Sequence, residues 1–206
     1  IYCTAVENVL HNSISQFGDD FIYLTHQLSG PVAFTDPLYA YYNAFSAPVS
    51  IIQGKHKLVG GNQDILDQYA PTVQSELDSL SQMDYRVINA TVEEKNISGS
   101  VKLTPLSASF NQEELILNLA VIDLVSTAVN AEGEPLTNVV IGRKRIDIST
   151  VDLSNPVAFE FDANVIIPED AVLVVFAQKT PTTFANNATI YSGLQYPLTV
   201  KKGGSR

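Results

Sequence analysis

The chain of 206 residues has a single cysteine, Cys3. One thiol cannot form an intrachain disulfide, and a structural zinc site rich in cysteine needs several of them. The sequence therefore excludes a disulfide-stabilised domain and a domain with a cysteine-rich zinc site. The three histidines, His11, His26 and His56, are not spaced four apart as in helical metal motifs. We therefore expect no metal ion and no other cofactor.

Basic residues are also few, with 12 Lys and Arg against 22 Asp and Glu and a formal net charge of -10. Such a chain repels phosphate backbones, which argues against a nucleic-acid partner and against docking on anionic lipid through a basic patch. The longest apolar runs, such as 171–177, fall far short of the roughly 20 residues of a membrane-spanning helix. We expect no transmembrane segment. Because the chain begins at Ile1, an upstream leader and a peripheral or lipid-anchored association stay open.

The first eighty residues have a mixed α/β pattern. Apolar residues recur at helical spacing from Ala5 to Phe17, where Gly18 ends the helix. Asp36 and Pro37 are typical of a helix start, an N-cap followed by proline in the first turn. The predicted elements are a helix ending at 17, a strand over 21–28, a helix from 37 to about 45, strands over 49–52 and 57–59, and a helix over 62–81.

After Met83 the pattern changes to period-two alternation with frequent turn residues. Leu115, Leu117 and Leu119 share one strand face, and Phe159 and Phe161 share another. The pattern predicts strands over 85–93, 100–106, 114–123, 138–148, 157–162, 171–178 and 189–198. Short strands without intervening helices are typical of an immunoglobulin-like or jelly-roll-like β-sandwich. The expected fold class is α+β, with an N-terminal α/β domain over 1–83, an antiparallel sandwich over 84–200 and a flexible tail over 201–206.

Five segments together carry a resemblance to a family. They are the helix opened by 3–7 (CTAVE), the strand that contains His26, the helix start at 36–38 (DPL), the run 47–54 (APVSIIQG) before a Gly-Gly turn, and 173–178 (LVVFAQ). Their order is similar to that of Omp28-related outer-membrane proteins. The resemblance implies a thioredoxin-like domain that here lacks its first strand, followed by a sandwich. It also implies a bacterial, extracytoplasmic setting in the outer membrane, at the cell surface or in the periplasm. A proline at the position of Pro48 is usually cis in such folds and faces the redox cysteines.

Cys3 and Pro48 are the candidate catalytic residues if the chain is redox-active. A dithiol enzyme needs a second thiol to resolve the mixed disulfide, and in a CxxC motif both cysteines lie in the first turn of a helix. If Cys3 is the first cysteine, its partner position is Val6, which cannot serve. If Cys3 is the second, the partner lies just upstream of Ile1. Thr4 stands where the family usually has proline, so the redox site is either truncated here or lost.

Four further residues are candidates for binding. Tyr39 and Tyr42, beside Tyr41, are suited to a carbohydrate or protein contact or to packing against a sheet. Arg143 and Arg145 share one face of a predicted strand, where they either steer a partner or guard a strand edge. Two further features are weaker signals. Glu7 is either a proton acceptor near Cys3 or a surface residue of the helix. Asn89, Asn96 and Asn187 match the glycosylation motif, which arises readily by chance in this composition.

The leading functional hypothesis is a non-catalytic, extracytoplasmic cell-envelope protein that mediates protein–protein contacts, with other envelope proteins or with a second copy of itself. β-Sandwiches commonly use edges and end loops for such recognition. The alternative is a periplasmic or surface thiol–disulfide oxidoreductase with Cys3 as the resolving thiol. A third hypothesis is a glycan binder that uses Tyr39 and Tyr191.

Overall fold

The computed structural model describes residues 2–27, 33, 38–130 and 132–199. Its helices are α1 (Tyr2–Phe17), α2 (Leu38–Tyr41), α3 (Gln63–Leu66) and α4 (Tyr69–Leu77), and a 3-10 turn spans Gly18–Asp20. Its strands are β1 (Val49–Ile52), β2 (His56–Val59), β3 (Met83–Glu93), β4 (Asn96–Pro105), β5 (Leu115–Val129), β6 (Pro135–Asp147), β7 (Val157–Asp162), β8 (Val172–Lys179) and β9 (Ile190–Pro197). The predicted α+β class, with mostly antiparallel sheets, is confirmed. The expected helix start at Asp36 and Pro37 and the expected tail over 201–206 lie outside the described residues.

Strands β3 to β9 form two antiparallel sheets, with strand orders β3-β4-β7 and β6-β5-β8-β9. Leu115, Leu117 and Leu119 from the larger sheet and Phe159 and Phe161 from the smaller one meet in a single hydrophobic core. Two sheets that enclose one core have the arrangement of a β-sandwich. All seven strands predicted after Met83 are present. β5 extends past the predicted end at 123 because its distal part pairs with the start of β6.

A buried tyrosine links the two sheets where β8 and β9 slip in register. The Ala177 N–H donates a 2.8 Å hydrogen bond to the Tyr85 hydroxyl, which in turn donates to the Tyr191 carbonyl. The register between β8 and β9 shifts between Val175 and Ala177. The hydroxyl therefore satisfies backbone groups that an interrupted ladder would leave unpaired. Burial raises the pKa of Tyr85 far above its ordinary value, so the hydroxyl keeps its proton.

The larger sheet is buried on its outer face as well. Ala120, Val174 and Phe176 form a second apolar cluster there, against which Ile22 and Leu24 pack. Burial on both faces explains why β5 and β8 have nearly continuous apolar runs instead of alternation.

The segment that covers this face is not the strand that the sequence predicts over 21–28. Residues 21–27 form only one parallel bridge, between Thr25 and Val139 of β6. Thr25 N–H donates to the Asn138 carbonyl at 2.8 Å, and Val140 N–H donates to the Thr25 carbonyl at 2.9 Å. The β-rich composition of this segment reflects side chains that pack on the larger sheet, and its backbone hydrogen bonds with that sheet join Thr25 to the edge strand β6.

The N-terminal part has its own small core around a β-hairpin. β1 and β2 pair antiparallel, and no third strand within the described part of the chain joins them. Val6 of α1, Leu58 of β2 and Tyr69 of α4 are buried together. The Ala47–Pro48 peptide bond is cis, the isomer that the family resemblance implies.

Two predicted helices are shorter than expected. The single helix over 62–81 is divided into α3 and α4 around Asp67. Pro71 explains the division, because it has no N–H for the Asp67 carbonyl and its ring crowds that carbonyl. α2 ends at Tyr41 instead of near residue 45, since Asn43 takes a left-handed conformation with φ of 51°.

Besides those of Thr25, further hydrogen bonds hold the N-terminal part against the sandwich. At the tip of the β1–β2 hairpin, Ala188 N–H donates to the Gly54 carbonyl at 3.1 Å and Ile190 N–H donates to the Gln53 carbonyl at 3.0 Å. On the other side, polar residues of α1 contact the β5–β6 hairpin. These contacts are Thr4 to Glu132 at 2.7 Å, Asn130 to Glu7 at 3.1 Å and His11 to Thr137 at 2.8 Å.

Candidate functional site

A cleft of about 1270 Å³ separates the N-terminal part from the outer face of the larger sheet. Both candidate redox residues line it: Cys3, which is exposed near the start of α1, and Pro48, which precedes β1. Glu7 lines it too, but its carboxylate accepts a 3.1 Å hydrogen bond from the Asn130 amide. The two residues that the resemblance pairs thus line the same large cleft, although 44 residues lie between them in the sequence.

The floor of the cleft is formed by polar and aromatic residues of the sheet. Arg143 donates from Nη2 to Asn118 Oδ1 at 2.8 Å, and its guanidinium carbon lies 5.7 Å from the centre of the Phe176 ring. Arg143, Phe176 and Gln178 all line the cleft. Arg145 does not line it; its Nη2 lies 3.4 Å from the Thr180 hydroxyl. Both arginines are half-buried on the outer face of β6, which is an edge strand.

The candidate tyrosines pack beside this floor. Tyr42 is buried, its hydroxyl accepts a hydrogen bond from Gln178 Nε2, and its ring meets Phe184 edge-on at 4.9 Å. Tyr39 is half-buried and meets the His26 ring edge-on at 5.9 Å. Both line the cleft. Tyr41 lies between these two tyrosines in the sequence. Burial raises the pKa of Tyr41 to about 12, so its hydroxyl stays neutral at physiological pH.

Two floor residues, Asn118 and Gln178, are not among the sequence-predicted site residues. Both are fully buried polar side chains on the outer face of the larger sheet. A signal for them exists, because each places an amide inside or at the end of an otherwise apolar strand. The signal becomes interpretable only once the outer face is known to be covered, since a polar residue on an uncovered face is unremarkable.

A charged cluster joins the β1–β2 hairpin to α4. Lys55 Nζ lies 2.5 Å from Glu76 Oε2, and His56 Nε2 lies 2.7 Å from Glu76 Oε1. Burial alone would raise the pKa of Glu76, but the hydrogen bonds and charges of Lys55 and His56 outweigh it and hold that pKa below its usual value. The cluster thus ties hairpin to helix at one wall of the cleft.

A smaller groove of about 480 Å³ adjoins the cleft, and we call it the Leu80 groove. Leu80 is 92% exposed and Leu106 is 57% exposed, while Phe110 and Tyr191 meet edge-on at 5.1 Å. None of the described residues that line it is charged. They are Leu80, Ser81, Gln82, Leu106, Ser107, Ser109, Phe110, Asn111 and Tyr191.

Comparison with protein-family models, with curated proteins and with solved structures gives no match for this chain. In the described ranges, no helix is both long and apolar enough to cross a bilayer. The same ranges hold no group of three or more His, Cys, Asp or Glu side chains arranged to hold a metal ion.

Proposed function

We propose that the chain is a non-catalytic protein-binding module of the cell envelope and that the Leu80 groove is its contact surface. The observation that carries the proposal is the exposure of Leu80 and Leu106 beside an aromatic pair. A leucine side chain that is 92% exposed gains free energy only when something covers it. Exposed apolar patches with a polar rim are typical of protein-interaction sites.

The charge distribution supports this choice of surface. The whole chain carries a net charge of -10, yet the described residues of the Leu80 groove include no Asp, Glu, Lys or Arg. Interface centres are depleted of charged residues and enriched in aromatic ones, and the groove has two aromatic residues, Phe110 and Tyr191, among its lining. The partner is an envelope protein or a second copy of this chain.

The envelope setting and the two-domain interpretation rest on the family resemblance. In the N-terminal part, α1, the β1–β2 hairpin and α4 have the chain order expected of a thioredoxin-like domain, although the segment 21–27 does not join the hairpin as a strand. We place this domain over 1–83 and the sandwich over 84–200. In this proposal the protein is extracytoplasmic, either attached at the outer membrane or free in the periplasm or at the surface.

Affinity capture from envelope extracts tests the contact surface with three forms of the protein. The wild type is compared with the double variant Leu80→Ser/Leu106→Ser and with Ile166→Ser, which removes a 70% exposed apolar side chain elsewhere. We expect the same captured protein with the wild type and Ile166→Ser, and at least a tenfold loss with the double variant. Equal capture by all three forms would remove the groove from the proposal.

A thiol–disulfide oxidoreductase is the second candidate, and one observation favours it: Cys3 and Pro48 line the same cleft. The 206 residues contain no second cysteine, so the attacking thiol would come from upstream of Ile1. That thiolate would attack a substrate disulfide and release one substrate thiol. The Cys3 thiolate would then attack the mixed disulfide, release the second substrate thiol and leave an intramolecular disulfide, which dithiothreitol would reduce again.

Reduction of insulin by the full-length precursor, with dithiothreitol as the electron source, tests this candidate. Turnover that disappears in Cys3→Ser supports the enzyme. Identical rates for the precursor and for Cys3→Ser eliminate it and leave the binding module.

A further inference from the structure

We propose that the free edge of β3 pairs with the same edge of a second copy of this chain, in an antiparallel register centred on Tyr85. The two β3-β4-β7 sheets then form one continuous sheet across a twofold axis. The paired stretch, residues 83–87, includes no residue that lines the Leu80 groove. The inference therefore does not rest on the proposed contact surface.

β3 is a long edge strand of 11 residues, and in the described part of the chain it pairs with β4 alone. The other sheet edges are short, covered or irregular. β7 has 6 residues, β6 is bridged by Thr25, and β9 contains Ser192 with φ of 56° and ends at Pro197. Proteins commonly protect edge strands in these ways, and a long edge without such cover is a surface on which another strand can pair.

The hydrogen bonds between β3 and β4 fix which backbone groups of β3 are free. The Leu106 N–H donates to the Gln82 carbonyl at 3.0 Å, and the register then continues without a slip as far as Val87. Opposed residues of an antiparallel pair alternate between hydrogen-bonded and non-hydrogen-bonded positions. The even-numbered residues up to Arg86 therefore bond to β4, and the odd-numbered residues direct their N–H and C=O groups to the open side. These odd-numbered residues are Met83, Tyr85 and Val87.

The free backbone groups match those of a second copy. No backbone hydrogen bond joins the open side of 83–87 to another described segment. The Met83 carbonyl accepts a 3.0 Å hydrogen bond from the Ser81 hydroxyl and keeps a second lone pair. When Tyr85 lies opposite Tyr85 of the second copy, Met83 lies opposite Val87. Each of these opposed pairs then exchanges two hydrogen bonds, so the open side of the stretch is satisfied.

Two exposed charges on β3 are complementary to themselves in this register. Asp84 and Arg86 are both exposed, and no side-chain hydrogen bond or ion pair joins either of them to another described residue. In the register centred on Tyr85, Asp84 of each copy lies opposite Arg86 of the other. Such non-hydrogen-bonded positions bring the Cα atoms to about 4.5 Å and the side chains into contact. The dimer therefore gains two cross-strand pairs of opposite charge.

The same charges exclude the neighbouring registers. A shift that keeps the backbone hydrogen bonds sets Asp84 opposite Asp84 or Arg86 opposite Arg86, and like charges directly opposite each other are destabilising. The whole chain carries a net charge of -10, which repels a second copy in any other orientation. The local pairing of Asp84 with Arg86 thus selects both the partner and the register.

Analytical ultracentrifugation of charge-reversal variants tests the inference. We expect the wild type to dimerise as its concentration rises, and Asp84→Arg and Arg86→Asp, each alone, to dimerise at least tenfold more weakly because like charges then face each other. An equimolar mixture of these two variants is expected to dimerise like the wild type, since two basic side chains of one copy then face two acidic side chains of the other. Restored dimerisation in the mixture also shows that both variants are folded.

The control for net charge is Glu160→Arg, which makes the same change of charge at an exposed position of β7 and should dimerise like the wild type. A monomeric wild type, unchanged dimerisation by both single variants, or a mixture that stays monomeric would overturn the inference. The variant Leu80→Ser/Leu106→Ser is expected to dimerise normally. Dimerisation that is lost in this variant and kept in the charge variants would place the self-contact in the Leu80 groove, so the two proposals fail separately.

Amide hydrogen exchange at low and high protein concentration tests the backbone pairing. We expect dimerisation to slow exchange at the Tyr85 and Val87 N–H groups at least tenfold. The Asp84 and Arg86 N–H groups already bond to β4, so their exchange should change less. Exchange at Tyr85 and Val87 that does not depend on concentration would overturn the pairing of the two edges.

Discussion

Replacement of Gly54 by alanine tests how the N-terminal part is fixed to the sandwich. Gly54 has φ of +68°, and a Cβ atom there would lie 1.8 Å from the Ala188 carbonyl oxygen. Gly18 has a similar φ of +60°, but a Cβ added to it would meet no atom within 4 Å. The two substitutions therefore share the cost of a left-handed alanine and differ in the collision alone.

The magnitudes follow from these contacts. The left-handed conformation costs an alanine about 1 kcal/mol, which is the whole effect expected for Gly18→Ala. In Gly54→Ala the hairpin must also move away from Ala188, which breaks the hydrogen bonds that Gly54 and Gln53 accept. Each such bond contributes about 1 kcal/mol, so we expect a total loss of about 3 kcal/mol.

Thermal unfolding followed by far-ultraviolet circular dichroism measures both variants. For a chain of this size, 1 kcal/mol shifts Tm by about 2–4 °C, so Gly54→Ala is expected to lower Tm by about 6–12 °C and Gly18→Ala by about 2–4 °C. Amide hydrogen exchange of Ala188 and Ile190 should accelerate only in Gly54→Ala. Equal Tm shifts in the two variants would refute the close approach of the hairpin to Ala188.

Two further predictions concern buried and charged hydrogen bonds. Tyr85→Phe leaves the buried Ala177 N–H without its acceptor. Urea unfolding should therefore show that the free energy of unfolding falls by about 1–3 kcal/mol. The control is Tyr196→Phe, for which the free energy of unfolding should fall by less than about 0.5 kcal/mol, as is usual for substitutions away from buried hydrogen bonds. Because the pKa of Glu76 is lowered in the folded state, its stabilising effect is present above the unfolded carboxyl pKa and is lost as pH falls through the folded value. The Tm of the wild type should therefore exceed that of Glu76→Gln at pH 7 and approach it in acid; a Tm difference that stays constant down to pH 2 would contradict this.

The sandwich strands could be predicted from the sequence because alternation and turn residues are local signals. Leu115, Leu117 and Leu119 point into the core, as their period-two spacing predicts, and so do Phe159 and Phe161. The segment 21–27 could not be predicted in the same way. Its residue types are those typical of a strand. Whether such residues form a strand or cover a sheet as an irregular segment is decided by tertiary packing, which the local sequence does not show.

The site was predictable in part and for a similar reason. Cys3 and Pro48 were identified through the resemblance, and folding places both in one cleft. Gln178 was not predicted, because its significance depends on the burial of the outer sheet face by residues far away in the sequence. The exposure of Leu80 could not be predicted either, because the sequence predicts one helix over 62–81 whereas α4 ends at Leu77, before Leu80.

The central claim is that the Leu80 groove contacts a protein partner. Its most direct measurement is photo-crosslinking in living cells, with benzoylphenylalanine placed at position 80 or, as the control, at position 166. We predict a discrete crosslinked product from position 80 and none from position 166, and a product of twice the chain mass would identify a second copy as the partner. An absence of product at position 80, or the same products from both positions, would contradict the claim.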